Sequence, residues 1–456
     1  MARTPKTPKT RTPAPETIID RRIVVDSLSR IEGEGRLRVV VRGDEVVEAR
    51  LSIFEAPRFF ERLVVGRTGD EVIDIVARIC GICPVAYQLT AAMAFERLYE
   101  IDIDPAVREL RRLFYWGEWL QSHALHIYLL HAPDFLGYPD ALTLAKDHRP
   151  EVERGLALKH AGVAILERLG GRAVHPVSLR VGGFSRVPTR LEMAALRPEL
   201  ERAVSDAQAT VRWVAGFTMP DFDREPLLLC LRDPNGYSLD DGRLVTSEGL
   251  DISPADWESS FVEEQLIDST ALYARGIDGR HHLLGPTARL TLAGDQLHPL
   301  ARAELEAAGG VDPIRRNIFR SITARAVEML HAAVSALAIV DAYVPPDAPR
   351  AKWSPRPGRA SWSTEAPRGL LFHRYDVDEA GHVTAARIVP PTSQNQASIE
   401  DDLRIYLPRV LQLPDAEAGA RLEALIRSYD PCISCATHFL ELDIERLPAG
   451  GADHVA

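Results

Sequence analysis

The sequence predicts a predominantly helical α+β protein, with a central bundle of long helices and small β-sheets at its periphery. Long stretches repeat apolar residues at helical spacing, as in Val107–Leu130 and in the segment that follows Pro313. Shorter stretches near both ends of the chain alternate apolar and polar residues, which is typical of half-buried strands. The chain has 456 residues, 46% of them hydrophobic, so it can bury a sizeable core.

The strand-like stretches are predicted to form hairpins. Residues 23–52 alternate in two runs separated by Gly43 and Asp44, a pair that favours a tight turn. Residues 369–390 repeat this pattern closer to the C-terminus. Residues 216–300 are broken by Pro, Gly and Asp, and we expect short strands and loops there.

Helical spacing begins near residue 70 and recurs in several long stretches. Residues 190–215 form one predicted helix. Another is predicted to run without a break from Asp312, as its N-cap, to about Leu337. Residues 396–428 form a further predicted helix. The predicted architecture is therefore helical at its centre, with sheets at both ends.

Charge and hydropathy restrict the class of partner. The formal net charge of −11 argues against nucleic acid or an anionic membrane surface as the main partner. No uninterrupted run of about 18 or more apolar residues is present, and the N-terminus lacks the apolar segment of a secretory signal. Residues 1–20 carry a basic Thr/Pro repeat and are predicted to be disordered. We therefore expect a cytoplasmic protein.

Four of the five cysteines form two Cys-x-x-Cys pairs. Cys80 and Cys83 lie in RICGICP, and Cys432 and Cys435 lie in DPCISCATH. Two intervening residues allow both sulfurs of a pair to face one metal ion, and Gly81 eases the turn that this requires. Such pairs, with an odd total count, fit a reducing compartment and metal or redox chemistry better than a disulfide scaffold.

Spacing alone leaves three kinds of site open: structural zinc, a thiol redox pair and a soft transition metal. Zinc-binding pairs usually lie about 15–20 residues apart, whereas most of this chain separates the two pairs. A thioredoxin-type pair could explain either motif but not both. A haem attachment site is excluded because Ala436, rather than histidine, follows Cys435.

The residues around the cysteines distinguish these alternatives. The chain contains, in this order, RIEGEG at 30–35, RICGICP at 78–84, EAPRG at 365–369, PPTSQNQ at 390–396 and DPCISCATH at 430–438. Together these strings resemble the large subunit of nickel–iron hydrogenases, from about residue 23 to the C-terminus. The resemblance implies the hydrogenase large-subunit fold in a single domain, residues 21–438, and the reversible heterolytic cleavage of H2.

The resemblance also implies a nickel–iron centre held by four thiolates. Cys80 and Cys432 would bind nickel alone, and Cys83 and Cys435 would bridge nickel to an iron that carries carbon monoxide and cyanide. Soft thiolates suit such a metal. Cys432 would take up the first proton, and Glu32 in RIEGEG would relay it.

Further ligands and donors are implied in the same way. Arg368 in EAPRG would hydrogen-bond one cyanide and Thr392 in PPTSQNQ the other, because buried anions need such donors. Glu61, the main-chain oxygen of Ile388 and His438 would bind a second metal, magnesium, which ties the C-terminus to the core.

Several other residues draw attention without a catalytic assignment. His123 and His126, at i and i+3 on a helix, could hold a metal, but the resemblance favours packing and hydrogen bonding near the partner-subunit face. Ser122 stands where respiratory relatives tend to carry Asp. Cys230 has no partner motif and is expected to be a buried thiol, and His175 is expected to be structural.

Electrons are expected to leave through other proteins. The chain has no glycine-rich dinucleotide motif and too few cysteines for iron–sulfur clusters, so neither a cluster nor a flavin is expected in it. The resemblance implies an iron–sulfur small subunit, followed by iron–sulfur and flavin subunits that bind NAD(P). Tyr87, in RICGICPVAY, is most similar to the NADP-linked four-subunit enzymes called sulfhydrogenases, with NAD-linked relatives as the alternative.

The C-terminal residues 439–456 are expected to be removed during maturation. In the family that the chain resembles, a dedicated protease cuts after the histidine three residues beyond the last metal-binding cysteine. Here that residue is His438, and cleavage would follow the action of nickel-insertion proteins. The mature protein is therefore predicted to end at His438.

Two alternatives to a hydrogenase remain. Quinone-reductase complexes contain a metal-free scaffold subunit with the same fold, but those relatives lack the four cysteines that this chain keeps. A zinc-stabilised interaction protein would use the cysteines, but it leaves Glu32 and Arg368 unexplained.

Overall fold

The computed structural model describes residues 21–42, 45–56, 58–266 and 269–437. The predicted disordered tail at residues 1–20, the candidate ligand His438 and the predicted extension at 439–456 lie outside the described residues. Helices dominate the described part, and small antiparallel sheets border them. The predicted fold class is confirmed.

The helices range from single turns to long rods that run through the core. In chain order they are α1 Phe60–Leu63, α2 Gly69–Val76, α3 Pro84–Leu98, α4 Pro105–Leu125, α5 Ala132–Leu136, α6 Ala141–Asp147, α7 Arg149–Gly170, α8 Arg190–Ala194, α9 Arg197–Ala215, α10 Pro286–Ala293, α11 Pro299–Ala307, α12 Asp312–Arg316, α13 Ser321–Ala342, α14 Pro391–Val410, α15 Asp415–Ser428 and α16 Ile433–Ala436. A π-helical stretch, His126–His131, continues α4.

The long helices α4, α7, α9 and α13 pack together as the predicted central bundle. Helix α4 begins where Asp104 accepts a 2.7 Å hydrogen bond from the amide of Ala106, with Pro105 in the first helical position. Helices α4 and α7 touch backbone to backbone, because a Cβ added at Gly162 would lie only 2.5 Å from the carbonyl oxygen of Gly117. This close contact explains why α4 contains Gly117 and α7 contains Gly162 where the two helices cross.

One helical segment, Ile318–Ala342, is long and apolar enough to cross a membrane by length and composition alone. Its most apolar window is 78% buried inside the protein. The segment includes α13, which packs against α4, α9 and α10. That burial is typical of a core helix, and the apolar composition of the segment is explained by its position in the bundle.

The strands form small antiparallel sheets. In chain order they are β1 Arg21–Val25, β2 Gly35–Arg42, β3 Glu45–Ile53, β4 Leu179–Arg180, β5 Gly183–Phe184, β6 Leu229–Arg232, β7 Arg243–Thr246, β8 Asp251–Ile252, β9 Phe261–Gln265, β10 Leu272–Gly276, β11 Gly358–Ala366, β12 Gly369–Val377 and β13 Val383–Val389. In the described part of the chain they pair as β1-β2-β3, β4-β5, β6-β7-β8, β9-β10 and β11-β12-β13.

Both predicted hairpins are present. Strands β2 and β3 pair antiparallel on either side of the predicted turn, with Leu37 opposite Leu51, and β1 adds a third strand. Strands β12 and β13 form the second hairpin, and β11 pairs with β12 on its other edge. Two charged residues of the predicted site lie in loops of these sheets. Glu32 lies between β1 and β2, and Arg368 lies between β11 and β12.

The predicted unbroken helix from Asp312 to Leu337 is wrong. Asp312 is the first helical residue rather than the N-cap, and the chain leaves the helix at Asn317, which has an extended backbone (φ −126, ψ 106). The Asn317 side chain accepts a 3.0 Å hydrogen bond from the amide of Phe319. Such a local side-chain bond competes with helical hydrogen bonding, so α12 and α13 are separate helices.

Two other boundaries also differ from the prediction. Residues 396–428 form not one helix but the end of α14 and the whole of α15, divided at Pro414, which is the N-cap of α15. The segment 216–300 contains the predicted short strands, but it also contains α10 and the start of α11. Pro286 and Pro299 occupy the first positions of these two helices, where proline is favoured.

Candidate metal centre

The two cysteine pairs meet at one point in the fold. The sulfurs of Cys80, Cys83 and Cys435 all lie within 4.8 Å of one another. The sulfur of Cys432 lies 3.6 Å from that of Cys80. Each of these side chains is at most 3% exposed. The predicted union of two sequence-distant motifs into one four-sulfur cluster is therefore present in the structure.

The first pair is positioned by the turn that precedes α3. Cys83 is the N-cap residue of this helix, and Pro84 follows in its first position. The amides of Ile82 and Cys83 point at the sulfur of Cys80, at 3.3 and 3.4 Å. These amides can stabilise negative charge on that sulfur. The turn therefore orients both sulfurs inward and directs two amides at one of them.

A buried carboxyl group completes the start of α3. Glu118, on α4, accepts hydrogen bonds from the amides of Val85 at 2.6 Å and Ala86 at 3.1 Å. Its side chain is fully buried, and this burial raises the pKa of Glu118 well above its usual value. Nothing near Glu118 in the sequence indicates this contact, because its partners lie 32 and 33 residues away along the chain.

The second pair is held by the N-terminal segment and by α14. Cys432 and Glu32 form an isolated parallel β-bridge, in which the amide of Ile433 donates to the carbonyl oxygen of Glu32 at 2.9 Å. The amide of Cys432 donates to the hydroxyl oxygen of Thr392 at 3.0 Å. Thus two residues singled out from the sequence, Glu32 and Thr392, do lie directly against Cys432.

Arg58 joins the two cysteine loops. Its guanidinium donates to the carbonyl oxygen of Ile79 at 2.7 Å, next to the first pair. The same group donates to the carbonyl oxygen of Ser434, inside the second pair. In addition, the Arg58 amide donates to the carbonyl oxygen of Thr437 at 2.8 Å. Arg58 was not predictable as a site residue, since nothing near it in the sequence indicates that it bridges two segments so far apart.

The Glu32 carboxylate contacts both the sulfur and the backbone of the second cysteine loop. Its Oε2 lies 3.0 Å from the sulfur of Cys432 and accepts a 3.1 Å hydrogen bond from the amide of Ser434. The carboxyl group is half-buried, whereas the sulfur of Cys432 is fully buried. Glu32 therefore stands between the sulfur cluster and more exposed groups.

Arg368 lies beside the sulfur cluster, next to Cys83 of the first cysteine pair. Its Nη1 is 3.9 Å from the sulfur of Cys83. Two further donors fix the side chain, because Nε donates to the carbonyl oxygen of Asp430 at 2.8 Å and Nη2 to its carboxylate at 3.1 Å. Burial works against the charge, but Asp430 and the cysteines keep the pKa of Arg368 well above its usual value.

The loop that carries Arg368 is anchored by a fully buried group of charges, which we call the arginine cluster: Arg289, Glu328 and Glu365. Arg289 donates to both carboxylate oxygens of Glu328 at 2.7 Å and to Glu365 at 2.8 Å. It also donates to the carbonyl oxygens of Ala366 and Pro367, at 3.0 and 2.9 Å. The two residues before Arg368 are thus held through their backbone.

The pKa values of the cysteine thiols are shifted because the thiols lie close together in a buried site. Hydrogen bonds from the other cysteine thiols, first that of Cys432, hold the pKa of Cys80 well below its usual value. Burial raises the pKa of Cys432 and of Cys435 well above theirs. Further negative sulfurs in this buried place, as in a set of metal-bound thiolates, would need compensating positive charge. Four soft donors with this electrostatic need, and with Arg368 beside them, fit a soft transition-metal centre.

The residues predicted for a second metal are only partly brought together. The carboxylate of Glu61 lies against Ile388, whose amide donates to Glu61 Oε1 at 2.7 Å. The third predicted ligand, His438, lies outside the described residues. The magnesium site stays a prediction, and the structure supports the proximity of Glu61 and Ile388.

The remaining candidates are buried and take part in packing. His123 hydrogen-bonds Glu328 of the arginine cluster at 3.1 Å, and His126 donates to the carbonyl oxygen of Arg427 at 2.7 Å. Ser122 and Cys230 are also buried, at 1% and 0% exposed. Neither histidine lies in the sulfur cluster.

A separate cavity of about 700 Å³ opens at the far end of α3. It is lined by charged residues of both signs, among them Arg97, Arg112, Asp233 and Asp240. The cysteines are not among its lining residues. This cavity is therefore separate from the sulfur cluster.

Comparison with known proteins agrees with this geometry. The family described as nickel-dependent hydrogenase matches residues 58–153. Sulfhydrogenase 2 subunit alpha of Pyrococcus furiosus is 33% identical over 423 residues, which cover 92% of this chain and 100% of the relative. Sulfhydrogenase 1 subunit alpha of the same organism is 30% identical, over 92% of this chain and 98% of the relative.

A solved structure extends the likeness to the fold. An NAD+-reducing nickel–iron hydrogenase in the H2-reduced state matches with a TM-score of 0.82 and 28% identity, covering 92% of this chain and 100% of that one. The likeness therefore covers nearly all of both chains. The chain belongs to the nickel-dependent hydrogenase family as a catalytic large subunit, and it is an oxidoreductase that acts on H2.

Proposed function

We propose that the chain cleaves and forms H2 at a nickel–iron centre held by Cys80, Cys83, Cys432 and Cys435. When bound, the metals would supply the site at which H2 is split heterolytically, with carbon monoxide and cyanide on the iron. The single observation that carries the proposal is the buried four-sulfur cluster with Glu32 Oε2 3.0 Å from the sulfur of Cys432. That contact joins a candidate metal ligand to a candidate proton carrier.

The residues around the cluster have distinct proposed roles. Cys432 takes up the proton that H2 cleavage releases, and Glu32 receives it from the sulfur over the 3.0 Å contact. Arg368 would donate through Nη1 to one cyanide, since Nε and Nη2 already donate to Asp430. Thr392 would donate its hydroxyl hydrogen to the other cyanide while its oxygen accepts from the Cys432 amide.

The proposed electron acceptor is NADP, reached through partner subunits. The two Pyrococcus relatives are named sulfhydrogenase alpha subunits, which supports this type of complex. An iron–sulfur small subunit would take the electrons, and flavin and iron–sulfur subunits would pass them to the nucleotide. NAD is the alternative acceptor, because the similar solved structure is of an NAD+-reducing enzyme. We propose a cytoplasmic location for this assembly.

We also propose the maturation route and the second metal. Glu61, the main-chain oxygen of Ile388 and His438 would bind magnesium, which is supported by the 2.7 Å contact between Glu61 and the Ile388 amide. Nickel-insertion proteins would load the cluster, and a protease would then remove residues 439–456. The mature chain would comprise residues 21–438 as one domain, preceded by the tail at 1–20.

The test is the metal content of the complex purified from its native host, measured by mass spectrometry together with acceptor reduction under H2. The expected result is about one nickel per chain with iron in excess, since the partner subunits add iron–sulfur clusters. NADP should be reduced faster than NAD. Zinc without nickel, or a processed complex without metal, would contradict the proposed centre.

A further inference from the structure

Ser434 contacts two carboxylate groups at once. Its amide donates to Glu32 Oε2 at 3.1 Å, and its hydroxyl donates to Glu55 Oε1 at 2.7 Å. The same Glu32 oxygen lies 3.0 Å from the sulfur of Cys432. A continuous series of polar contacts thus runs from a buried sulfur through Glu32 and Ser434 to Glu55. We call Glu32, Ser434 and Glu55 the carboxylate line.

The backbone of the RIEGEG loop is shaped around Glu55. Gly33 has φ +87, and a Cβ added there would lie 2.6 Å from Glu55 Oε2 and 2.6 Å from the Cβ of Ile433. Only glycine therefore allows the Glu55 carboxylate to approach this loop. The amide of Glu34 lies 3.4 Å from the same Glu55 oxygen. Two loops that are far apart in sequence close around one carboxyl group.

Glu55 itself is held from the opposite side. It follows the end of β3, where the hydroxyl of Thr270 donates to the carbonyl oxygen of Glu55 at 2.8 Å and to that of Ile53 at 3.1 Å. The backbone of Glu55 is therefore fixed, although its side chain is only half-buried. A fixed backbone with a partly exposed carboxyl group suits a residue that exchanges protons with solvent.

Exposure rises at the first step of the series, from the sulfur to the carboxylate line. The sulfur of Cys432 is fully buried, whereas Glu32, Ser434 and Glu55 are each half-buried. We propose that Glu55 is the second proton carrier of this enzyme and takes the proton from Glu32 through Ser434. The inference rests on the proposed function of Glu32, and it adds two residues to that route.

The proton balance of the step is simple. Protonated Glu32 loses its O–H proton, the Ser434 oxygen gains that proton, and the Ser434 hydroxyl passes its own proton to Glu55 Oε1. Because Glu32 now contacts the Ser434 amide, the first transfer requires either a rotation of the Glu32 carboxyl group or one bridging water. Glu55 then releases the proton to solvent, and the hydroxyl returns to its starting orientation.

The test uses three variants of the complex: Glu55→Gln, Ser434→Ala and the matched control Glu34→Gln. Glu34 is an exposed neighbour, and its contact with Glu55 comes from the backbone amide, which the substitution keeps. Ser434→Ala removes the hydroxyl but keeps the amide that binds Glu32. Nickel content and the infrared bands of the iron ligands show whether each variant assembles.

We expect Glu55→Gln and Ser434→Ala each to slow H2 oxidation and HD formation from D2 in water about tenfold, less than the roughly 100-fold typical of losing a direct acid–base group. The double variant should be no slower than either single variant, because both act on one route. In addition, a protonated-carboxyl band in the H2-induced infrared difference spectrum should vanish in Glu55→Gln and persist in Glu34→Gln.

The outcomes separate the two proposals. If the unaltered complex lacks nickel and H2 turnover, the proposed function itself is overturned. If that complex is active and Glu55→Gln matches Glu34→Gln in rate, HD formation and carboxyl band, only the carrier role of Glu55 is overturned. Should Glu55→Gln fail to assemble, the same comparison is made between Ser434→Ala and Glu34→Gln, and equality there overturns the role.

Discussion

The arginine cluster and the carboxylate line are both charged regions near the cysteines, but they are built in opposite ways. In the arginine cluster, Arg289, Glu328 and Glu365 are each 0% exposed and are joined by several short hydrogen bonds. In the carboxylate line, Glu32 and Glu55 are half-buried and are each joined to Ser434 by one hydrogen bond. The first arrangement holds its groups in fixed contacts away from solvent, whereas the second leaves its carboxyl groups partly exposed.

This contrast distinguishes residues that fix the structure from residues that are proposed to transfer protons. A buried ion pair is costly to disturb because removal of one partner leaves an uncompensated charge. The arginine cluster therefore fixes the loop before Arg368. The half-buried carboxyl groups of the carboxylate line are instead partly open to solvent, which suits the proposed relay. Four substitutions can break or sharpen this division.

The largest effect is expected for Arg289→Met. The substitution leaves Glu328 and Glu365 buried without their cation, so the free energy of unfolding should fall by about 3–5 kcal/mol. Calorimetry of the assembled complex measures the change. Arg243→Met is the matched control, because Arg243 pairs with Asp251 at the surface, where the two side chains are 53% and 58% exposed. Equal melting temperatures for both variants would contradict the holding role of the cluster.

The second effect concerns pH. Burial raises the pKa of Glu365 to about 7, whereas Arg289 holds that of Glu328 at about 2 despite its burial. A carboxyl group with a raised pKa in the folded state is favourable when protonated, so its contribution is present below about pH 4.5 and is lost as pH rises through about 7. The loss should amount to about 3 kcal/mol.

Glu365→Gln tests this pH dependence, because glutamine cannot ionise. The difference in unfolding free energy between the two proteins should change by about 3 kcal/mol between pH 4.5 and pH 8 and then stay constant. Denaturant titrations of the complex at several pH values measure it. A constant difference over the whole range would mean that Glu365 stays ionised and that Arg289 balances both carboxylates.

The third effect is on the relay. Glu32→Gln keeps the size of the side chain and can still accept from the Ser434 amide, but it cannot carry a proton. H2 oxidation should fall about 100-fold or more, while nickel content and melting temperature stay near those of the unaltered complex. Glu34→Gln serves as the control. A loss of stability in Glu32→Gln as large as that in Arg289→Met would show that Glu32, like the arginine cluster, mainly holds the structure.

The two regions also differ in how far the sequence predicts them. Glu32 and the cysteines lie in short strings whose order along the chain indicates one site, and the structure brings them together. Arg289 and Glu328 are single charged residues on α10 and α13, and nothing near them in sequence indicates a pair. Their partnership exists only because these helices pack against each other.

The fold, too, could be predicted from the sequence only in part. The long helices and both hairpins follow from periodicity, since their apolar faces repeat over many residues. The break at Asn317 does not, because it depends on a side-chain hydrogen bond to Phe319 that competes with the helix. Likewise, Arg58 bridges the two cysteine loops only after both ends of the chain have come together.

The smallest predicted effect concerns Thr392, which contacts the same cysteine as Glu32 but is fixed like the arginine cluster. Thr392→Val removes the oxygen that accepts from the buried amide of Cys432, so the free energy of unfolding should fall by about 1–2 kcal/mol. Thr392→Ser restores the acceptor and most of the stability. If the hydroxyl also donates to a cyanide, one cyanide band in the infrared spectrum should shift in the valine variant and return in the serine variant. A loss of stability without that shift would leave Thr392 as a residue that only holds the cysteine loop.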